Sequence, residues 1–199
     1  MVANALLAEA APLRLIALRH PASRPQRLSD AVDLAAANGA RLLLVGIGGR
    51  READWRGFAS ALRENPQLLA IVSAGRDGEN IDDRAHFPAA LALPNMLSVG
   101  AADGFGQPVR SNWGQRRVDL LAPAERLVVR DFDGYEAVAG GAEFAAPRVA
   151  APASRLLASE PGLDTQTLKA RILALARLSD PGGPPRSAYG VLPEAALAR

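Results

Sequence analysis

One carboxylate stands in a setting where proteins often carry out chemistry. Glu143 follows Gly140 and Gly141 and precedes the run "FAAPRVAAP" (144–152), a composition typical of a tight turn that leads into a buried helix. Glycine lets a ligand or another chain approach the backbone closely, and a helix N-terminus offers unpaired N–H groups and a partial positive charge. A carboxylate there could act as a general acid or base if burial raised its pKa.

The other candidates for chemistry are weak when each is taken alone. His20 and His86 share no motif, so we expect each to be a surface or core residue rather than a base. The loop 77–83 does not have the spacing of an EF-hand, which favours a solvated acidic loop over a metal site for its four acids: Asp77, Glu79, Asp82 and Asp83. Ser111 has no evident base partner, and the chain has no cysteine. We therefore expect no metal.

The turn "GIGGR" (46–50) could be interpreted as a phosphate-binding loop, because it follows an apolar run. It lacks a complete GxGxxG motif, and no acid stands about 20 residues later at a strand end to bind a ribose. A tight glycine turn is favoured, and no cofactor is expected.

Composition limits the classes of function. The 199 residues are 49% hydrophobic and 22% charged, with a formal net charge of +2, an ordinary globular composition that suits one domain over 1–199. The arginines are scattered and form no basic stripe, so no nucleic-acid partner is expected.

No run of 18 apolar residues is present, which predicts no membrane span. The N-terminus carries Glu9 and lacks a basic region, so it is a poor signal peptide, and the compartment stays open.

Apolar runs of strand length alternate with helical patterns in the first half of the chain. Strands are predicted at "LRLIAL" (13–18), "RLLLVGIGG" (41–49) and "LLAIVSAG" (68–75). Helices are predicted at "LSDAVDLAAANGA" (28–40), with Ser29 as N-cap, and at "WRGFASALRENP" (55–66). This alternation predicts a three-layer α/β fold with a mostly parallel central sheet and helices on both faces.

The second half is predicted to contain shorter strands followed by two helices. The strands are "NMLSVGAAD" (95–103), "VDLLAP" (118–123) and "RLVV" (126–129). One helix runs from about Glu143 to Ser159, where Pro152 should cost roughly 3 kcal/mol or force a kink. The other runs from Asp164, a plausible N-cap, to Leu178, and "AYGVLPEAALA" (188–198) forms a short closing element.

Six segments, in this order, resemble the subtilase (subtilisin-like serine peptidase) family. They are "LSDAVDLAAANGARLLLVGIGG" (28–49), "AIVSAGRDGEN" (70–80), "FPAALALPNMLSVGAAD" (87–103), "VRSNWGQRRVDLLAP" (109–123), "GGAEFAAPRVAAPASRLLASEP" (140–161) and "YGVLPEAALA" (189–198). The resemblance covers nearly the whole chain and implies a subtilisin-like fold. Met1 falls inside the family's "HGTxVA" motif, which implies a partial peptidase domain. The N-terminal strand or strands and the start of the catalytic His helix would be missing, in a degenerate protein or in a fragment.

Position by position, the resemblance implies a damaged catalytic site. The family's nucleophile segment "GTSM" corresponds to residues 141–144, which places Glu143 where the serine would be, and the oxyanion asparagine of "AAGN" corresponds to Arg76. In subtilisin, a member of this family, loss of the serine costs about 10⁶-fold in turnover and loss of one oxyanion donor about 10²–10³-fold. We therefore expect no serine peptidase activity, and a salt bridge between Glu143 and Arg76 in place of the catalytic pair.

The way in which the family binds substrates implies that peptide binding could remain after catalytic activity is lost. Extended peptides would pair with Gly46, Ile47 and Gly48, where the glycines keep the edge accessible, and lie along Ser73, Ala74 and Gly75. Strand addition needs only backbone hydrogen bonds and pockets. The chain is thus expected to be an inactive peptidase homologue that binds a peptide or a protein partner. The alternatives are a hydrolase completed by a missing segment or a partner chain, a hydrolase that uses Glu143 as acid or base, and a gene product without selected activity. Family members are commonly exported.

Overall fold

The computed structural model of the chain describes residues 1–10, 12–20, 24, 27–131, 133–178 and 185–197. Its centre is a parallel sheet whose four strands lie in chain order: β1 (Leu42–Val45), β2 (Leu69–Ser73), β3 (Met96–Ala102) and β4 (Leu120–Pro123). Every residue of β2 and β3 is buried. Strands covered on both faces are typically continuous apolar runs, which is the pattern that predicted them.

Helices cover both faces of this sheet and complete three layers. On one face lie α1 (Val2–Glu9), α4 (Ala142–Ser159), α5 (Thr165–Leu175) and α6 (Glu194–Leu197), and on the other lie α2 (Leu28–Ala37) and α3 (Arg56–Glu64). Alternate residues of β2 enter the two cores: Leu69 and Ile71 pack with α4, and Ala70 and Val72 pack with α3. The predicted three-layer α/β architecture is confirmed.

Helix α4 is the longest helix and runs through the middle of its layer. It is uninterrupted from Ala142 to Ser159 although Pro147 and Pro152 lie inside it. Its one buried arginine, Arg148, is 6% exposed and forms ion pairs with Glu9 of α1 and Glu194 of α6. These pairs tie helices from distant parts of the chain to α4.

Some predicted elements are wrong or incomplete. Segment 13–18 is not a strand, because its backbone forms no hydrogen bond with any described residue. Leu13 packs against one core and Leu18 against the other, so the segment passes from one face of the sheet to the other. Ser29 is not an N-cap, since α2 begins at Leu28 after Arg27.

The ends of the second half also differ from prediction. Helix α5 ends at Leu175 rather than Leu178, while its N-cap Asp164 is confirmed by hydrogen bonds from two backbone amides. A strand that the sequence did not reveal, β6 (Glu136–Ala139), pairs antiparallel with β5 (Leu127–Arg130). Within the described part of the chain, no helix combines the length and apolarity needed to span a bilayer.

Candidate functional site

The turn before α4 requires glycine at positions 140 and 141. A Cβ atom on Gly140 would collide with the carbonyl oxygen of Glu125 and lie 2.6 Å from that of Ala124. Gly141, the N-cap of α4, has φ +121°, a conformation that L side chains rarely adopt. The glycine pair therefore fixes where α4 begins, and with it the position of Glu143 in the first helical turn.

Glu143 lies at the carboxyl end of the parallel sheet. A Cβ built on Gly46, the residue after β1, would lie 3.9 Å from the Cβ of Glu143. The Glu143 side chain is 22% exposed, and its Oε1 lies 3.5 Å from Nη1 of Arg76, a side chain that is 71% exposed. This distance is longer than the 2.7–2.9 Å of a charge-assisted hydrogen bond, so the contact is a loose ion pair.

The segment Gly46–Gly48 carries free backbone groups beside Glu143. Gly46 and Gly48 are exposed and Ile47 is partly buried. The β1–β2 ladder ends at the pair Val45–Val72, and none of the N–H or C=O groups of 46–48 forms a hydrogen bond with a described residue. Unpaired backbone groups at the edge of a sheet can accept an added strand.

The facing segment Ser73–Gly75 has most of its backbone groups in use. The Ala74 N–H donates to Val99 O (2.8 Å), and its C=O accepts from Asn112 Nδ2 (2.9 Å). The Gly75 N–H donates to Ser73 Oγ (3.2 Å), and its C=O accepts from the Asn112 N–H (2.8 Å). Residues 73–75 therefore form a rigid wall, held by the fully buried Asn112.

The imidazole of His86 fills the space between these two segments. A Cβ on Gly48 would collide with its Nε2, and a Cβ on Gly75 would lie 2.8 Å from both Cε1 and Nε2. His86 is only 9% exposed. The ring thus covers Gly48 on one side, while Gly46 and Gly48 stay exposed, as expected for this edge.

Ion pairs hold the loop that carries His86. Arg50 donates to Asp77 Oδ2 (2.8 Å) and Glu79 Oε2 (2.6 Å), and Asp77 Oδ2 lies 3.5 Å from Nδ1 of His86. Burial, with a smaller effect of Arg50, lowers the pKa of His86 below its usual value, although Asp77 and Glu79 partly oppose the shift. The imidazole is therefore neutral near pH 7.

The acids of the loop 77–83 are exposed or partly buried, as predicted, but most of them also have partners within the protein. Asp77 and Glu79 are paired with arginine, and Asp82 accepts hydrogen bonds from the backbone N–H groups of Arg116 and Arg117. Among the described residues, no cluster of three or more His, Cys, Asp or Glu side chains could hold a metal ion.

The sequence profile of the Subtilase family matches residues 7–191. The chain belongs to the subtilase family. Among curated proteins, Subtilisin-like protease 1 of Arthroderma gypseum is 34% identical over 114 residues, 57% of this chain and 22% of that protein. A Subtilisin-like protease of Coccidioides posadasii is 26% identical over 76% of this chain and 38% of its own length. The chain thus spans between a fifth and two fifths of these curated relatives.

Two solved structures share the fold over most of the chain. The prenylagaramide maturation protease PagA is 29% identical, with a TM-score of 0.71 over 93% of this chain and 69% of that one. The PatG macrocyclase, solved in complex with a peptide, is 25% identical, with a TM-score of 0.67 over 87% of this chain and 55% of its own. The subtilisin-like fold expected from the sequence is confirmed.

This subtilase fold brings together most, but not all, of the residues singled out from the sequence. Glu143, Arg76 and segments 46–48 and 73–75 meet at one end of the sheet. His20 lines a separate surface cavity with Leu18, Asp30 and other residues. His86 and Asn112 belong to the site, yet neither stood out, because a single histidine or asparagine carries no spacing signal.

Proposed function

We propose that this subtilase-family chain binds an extended peptide along Gly46–Gly48 and does not cleave it. The observation that carries the proposal is the free, exposed backbone of 46–48 beside Glu143. The carboxyl ends of parallel strands are where α/β folds commonly bind ligands. Here segment 46–48 supplies free hydrogen-bonding groups, and the facing segment 73–75 bounds the space beside it.

The absence of cleavage rests on Glu143, which we assign to the family's nucleophile position. A carboxylate does not form the acyl-enzyme as a serine alkoxide does, and it brings negative charge to the place where an oxyanion must develop. The nearby hydroxyls are already engaged: Ser73 Oγ accepts from Gly75 N, and Ser111 Oγ accepts from Ala101 N while donating to Asn112 O. Neither is positioned as a substitute nucleophile.

Strand addition explains how peptide binding can be kept after the catalytic activity is lost. A peptide paired with 46–48 would exchange backbone hydrogen bonds with it, each contributing about 0.5–1.5 kcal/mol. These bonds do not depend on the nucleophile. The PatG macrocyclase, which shares this fold, was solved with a peptide bound, which supports the proposal.

The alternative, hydrolysis with Glu143 as acid or base, needs a proton-transfer partner. Among the described residues, Glu143 contacts Arg76, which is always protonated. His20 lines a different cavity, and the ring of His86 is held between Gly48 and Gly75. The geometry therefore favours binding over this chemistry.

The test is a titration of fluorescently labelled, end-blocked octapeptides selected from a mixed library by retention on the purified chain. Ile47→Pro removes the N–H of residue 47, and Ile47→Ala is the matched control that removes the side chain and keeps the N–H. We expect roughly tenfold weaker binding for Ile47→Pro, as for about 1.4 kcal/mol of lost hydrogen bonding, and a change under about threefold for Ile47→Ala.

A second arm changes the ligand rather than the protein. Peptides with single N-methylated backbone amides should lose affinity at alternate positions, because alternate residues of an added strand direct their backbone groups to the partner. Absence of any retained peptide would contradict the proposal. So would equal binding by Ile47→Pro, or N-methylation without effect at every position.

A further inference from the structure

A surface cavity of about 240 Å³ is lined by two arginines, Arg110 and Arg186, together with Trp113. The carbonyl oxygen of Arg110 accepts a hydrogen bond (3.4 Å) from the N–H of Ala142, the first residue of α4. The carbonyl oxygen of Arg186 accepts one (2.9 Å) from the N–H of Gly114. Backbone hydrogen bonds thus bring two distant parts of the chain together at this cavity.

The two guanidinium groups of the cavity have no counter-charge within the described part of the chain. Neither Arg110 nor Arg186 forms an ion pair or a side-chain hydrogen bond with a described residue. The acids of the adjoining loop are already engaged, because Asp77 and Glu79 both accept hydrogen bonds from Arg50. Two positive charges therefore remain uncompensated on one cavity.

Glu143 lies close to Arg110 but does not pair with it. The Cβ position of Gly141 is 3.0 Å from Oε2 of Glu143 and 3.5 Å from the Cβ of Arg110. The ion pair of Glu143 is nevertheless made with Arg76, while the Arg110 side chain lines the cavity. The charge of Arg110 is thus left for a ligand.

Arg186 is positioned by an aromatic ring. Its Cζ lies 4.2 Å from the centroid of the Trp113 ring, which it covers. A cation–π contact of this kind uses the face of the guanidinium. The N–H groups at its edge remain available, and their planar arrangement suits two parallel hydrogen bonds to an oxyanion.

Arg110 has a backbone conformation that is unfavourable for an arginine. Its φ is +45°, in the left-handed region that few residues other than glycine adopt. Glycine would take this conformation without a steric penalty. Strained positions of this kind persist where the surrounding structure imposes them, and they cluster at ligand-binding sites. What arginine adds at position 110 is a guanidinium group in the cavity.

We propose that Arg110 and Arg186 form a binding site for a phosphoryl dianion, supplied as inorganic phosphate or as a phosphorylated side chain. A phosphoryl group carries a charge of about −1.5 to −2 near pH 7 and three acceptor oxygens, so it balances both guanidinium groups, whereas a carboxylate balances one. Gly78, which also lines the cavity, has nothing within 4 Å of its Cβ position and leaves room for the ligand. The site requires no peptide at 46–48 and goes beyond the proposed function.

The test follows tryptophan fluorescence while the purified chain is titrated with sodium phosphate near pH 8, with the ionic strength held constant by sodium chloride. Trp55, the second tryptophan, is 1% exposed, so a ligand in the cavity changes mainly the emission of Trp113. We expect saturation with a Kd of about 1 mM or below, as for two charge-assisted hydrogen bonds. Acetate should bind at least about fivefold more weakly. Absence of saturation, or equal binding of acetate, would overturn the inference.

Arginine variants assign the binding to this cavity. Arg110→Gln and Arg186→Gln should each weaken phosphate binding by about tenfold, as for one lost charge-assisted contact. Arg116→Gln, which removes a 76% exposed arginine outside the cavity, is the matched control and should keep the wild-type affinity. Unchanged binding by both cavity variants, or an equal loss in Arg116→Gln, would overturn the inference.

Arg110→Gly separates ligand binding from folding. Because glycine adopts a positive φ without strain, we expect its Tm to equal or exceed that of wild type while phosphate affinity falls by about tenfold. Such a result places the effect on the ligand contact, since the variant is folded. Wild-type phosphate affinity in Arg110→Gly would overturn the role of this arginine.

An octapeptide with one phosphoserine distinguishes the two sources of the phosphoryl group. Binding at least about tenfold tighter than inorganic phosphate, and lost with Arg110→Gln, would support a phosphorylated polypeptide as the ligand. Equal affinities that are both lost with Arg110→Gln would support the free anion. Phosphopeptide binding that persists in both Arg110→Gln and Arg186→Gln would overturn the inference.

Discussion

Glu143 and Arg76 form an ion pair with unequal surroundings. The carboxylate is mostly covered and sits in the first turn of α4, where the helix dipole favours a negative charge by about 0.3–1 kcal/mol. The guanidinium is largely in water, and the contact is long at 3.5 Å. Exposed pairs of this kind contribute about 0.2–1 kcal/mol, so Glu143 is held mainly by the helix and only weakly by Arg76.

A double-mutant cycle of Glu143→Ala and Arg76→Ala should therefore give a small but measurable coupling. We expect about 0.2–1 kcal/mol in the free energy of unfolding from denaturant titration, reduced by added salt because one partner is exposed. A coupling energy of zero would show that the two side chains do not interact. One far above 1 kcal/mol would mean that the pair is more buried than the structure shows.

The residues of the site differ in how far the sequence could predict them. Glu143, Arg76 and segments 46–48 and 73–75 lie in motifs whose spacing resembles the subtilase pattern, so they could be located. His86 could not, because its importance depends on which backbone it packs against, and that is decided by the loop 77–87 folding back over Gly48 and Gly75. The same holds for Asn112, which bonds a segment 37 to 38 residues earlier in the chain.

Among the elements, the turn before α4 is the one that most directly positions the site. Replacing Gly140 by alanine forces a Cβ into the carbonyl of Glu125, and the neighbour is backbone with little freedom to move. We expect a loss of about 1–3 kcal/mol in the free energy of unfolding, as for other overpacked positions. Gly162→Ala, at an exposed glycine with nothing within 4 Å of its Cβ position, is the matched control and should stay within about 0.5 kcal/mol of wild type. Equal effects of the two substitutions in denaturant titration would show that the Gly140 turn is not tightly packed.

The sequence predicted strands correctly where a buried apolar run forms the strand. It failed where the strand depends on pairing with another segment. The apolar runs of β1, β2 and β3 belong to the parallel sheet and were found from composition. "LRLIAL" (13–18) has the same composition, but no described residue supplies a ladder partner, and Leu15 and Ile16 are 47% and 42% exposed. β6, "EAVA", carries a weak strand signal and exists because it pairs with β5.

For the whole molecule, the family and the three-layer fold could be predicted because six segments agree in order with one pattern. The prediction that 1–199 forms a single peptidase domain stays a prediction. Ion pairs of Arg148 link α4 to α1 and α6. These elements are far apart in sequence, so no local sequence pattern predicts the contacts between them. The scaffold that presents segment 46–48 is thus built by long-range packing around α4.

We propose that this subtilase fold holds polypeptide without cutting it, and a cleavage assay tests this proposal most directly. Purified wild type and Glu143→Ala are incubated with casein and mixed peptides, and with a serine-directed fluorophosphonate, and the products are followed by mass spectrometry. We expect no labelling and no cleavage above the buffer control for either protein. Fluorophosphonate labelling of wild type, or cleavage by wild type that Glu143→Ala abolishes, would contradict the account.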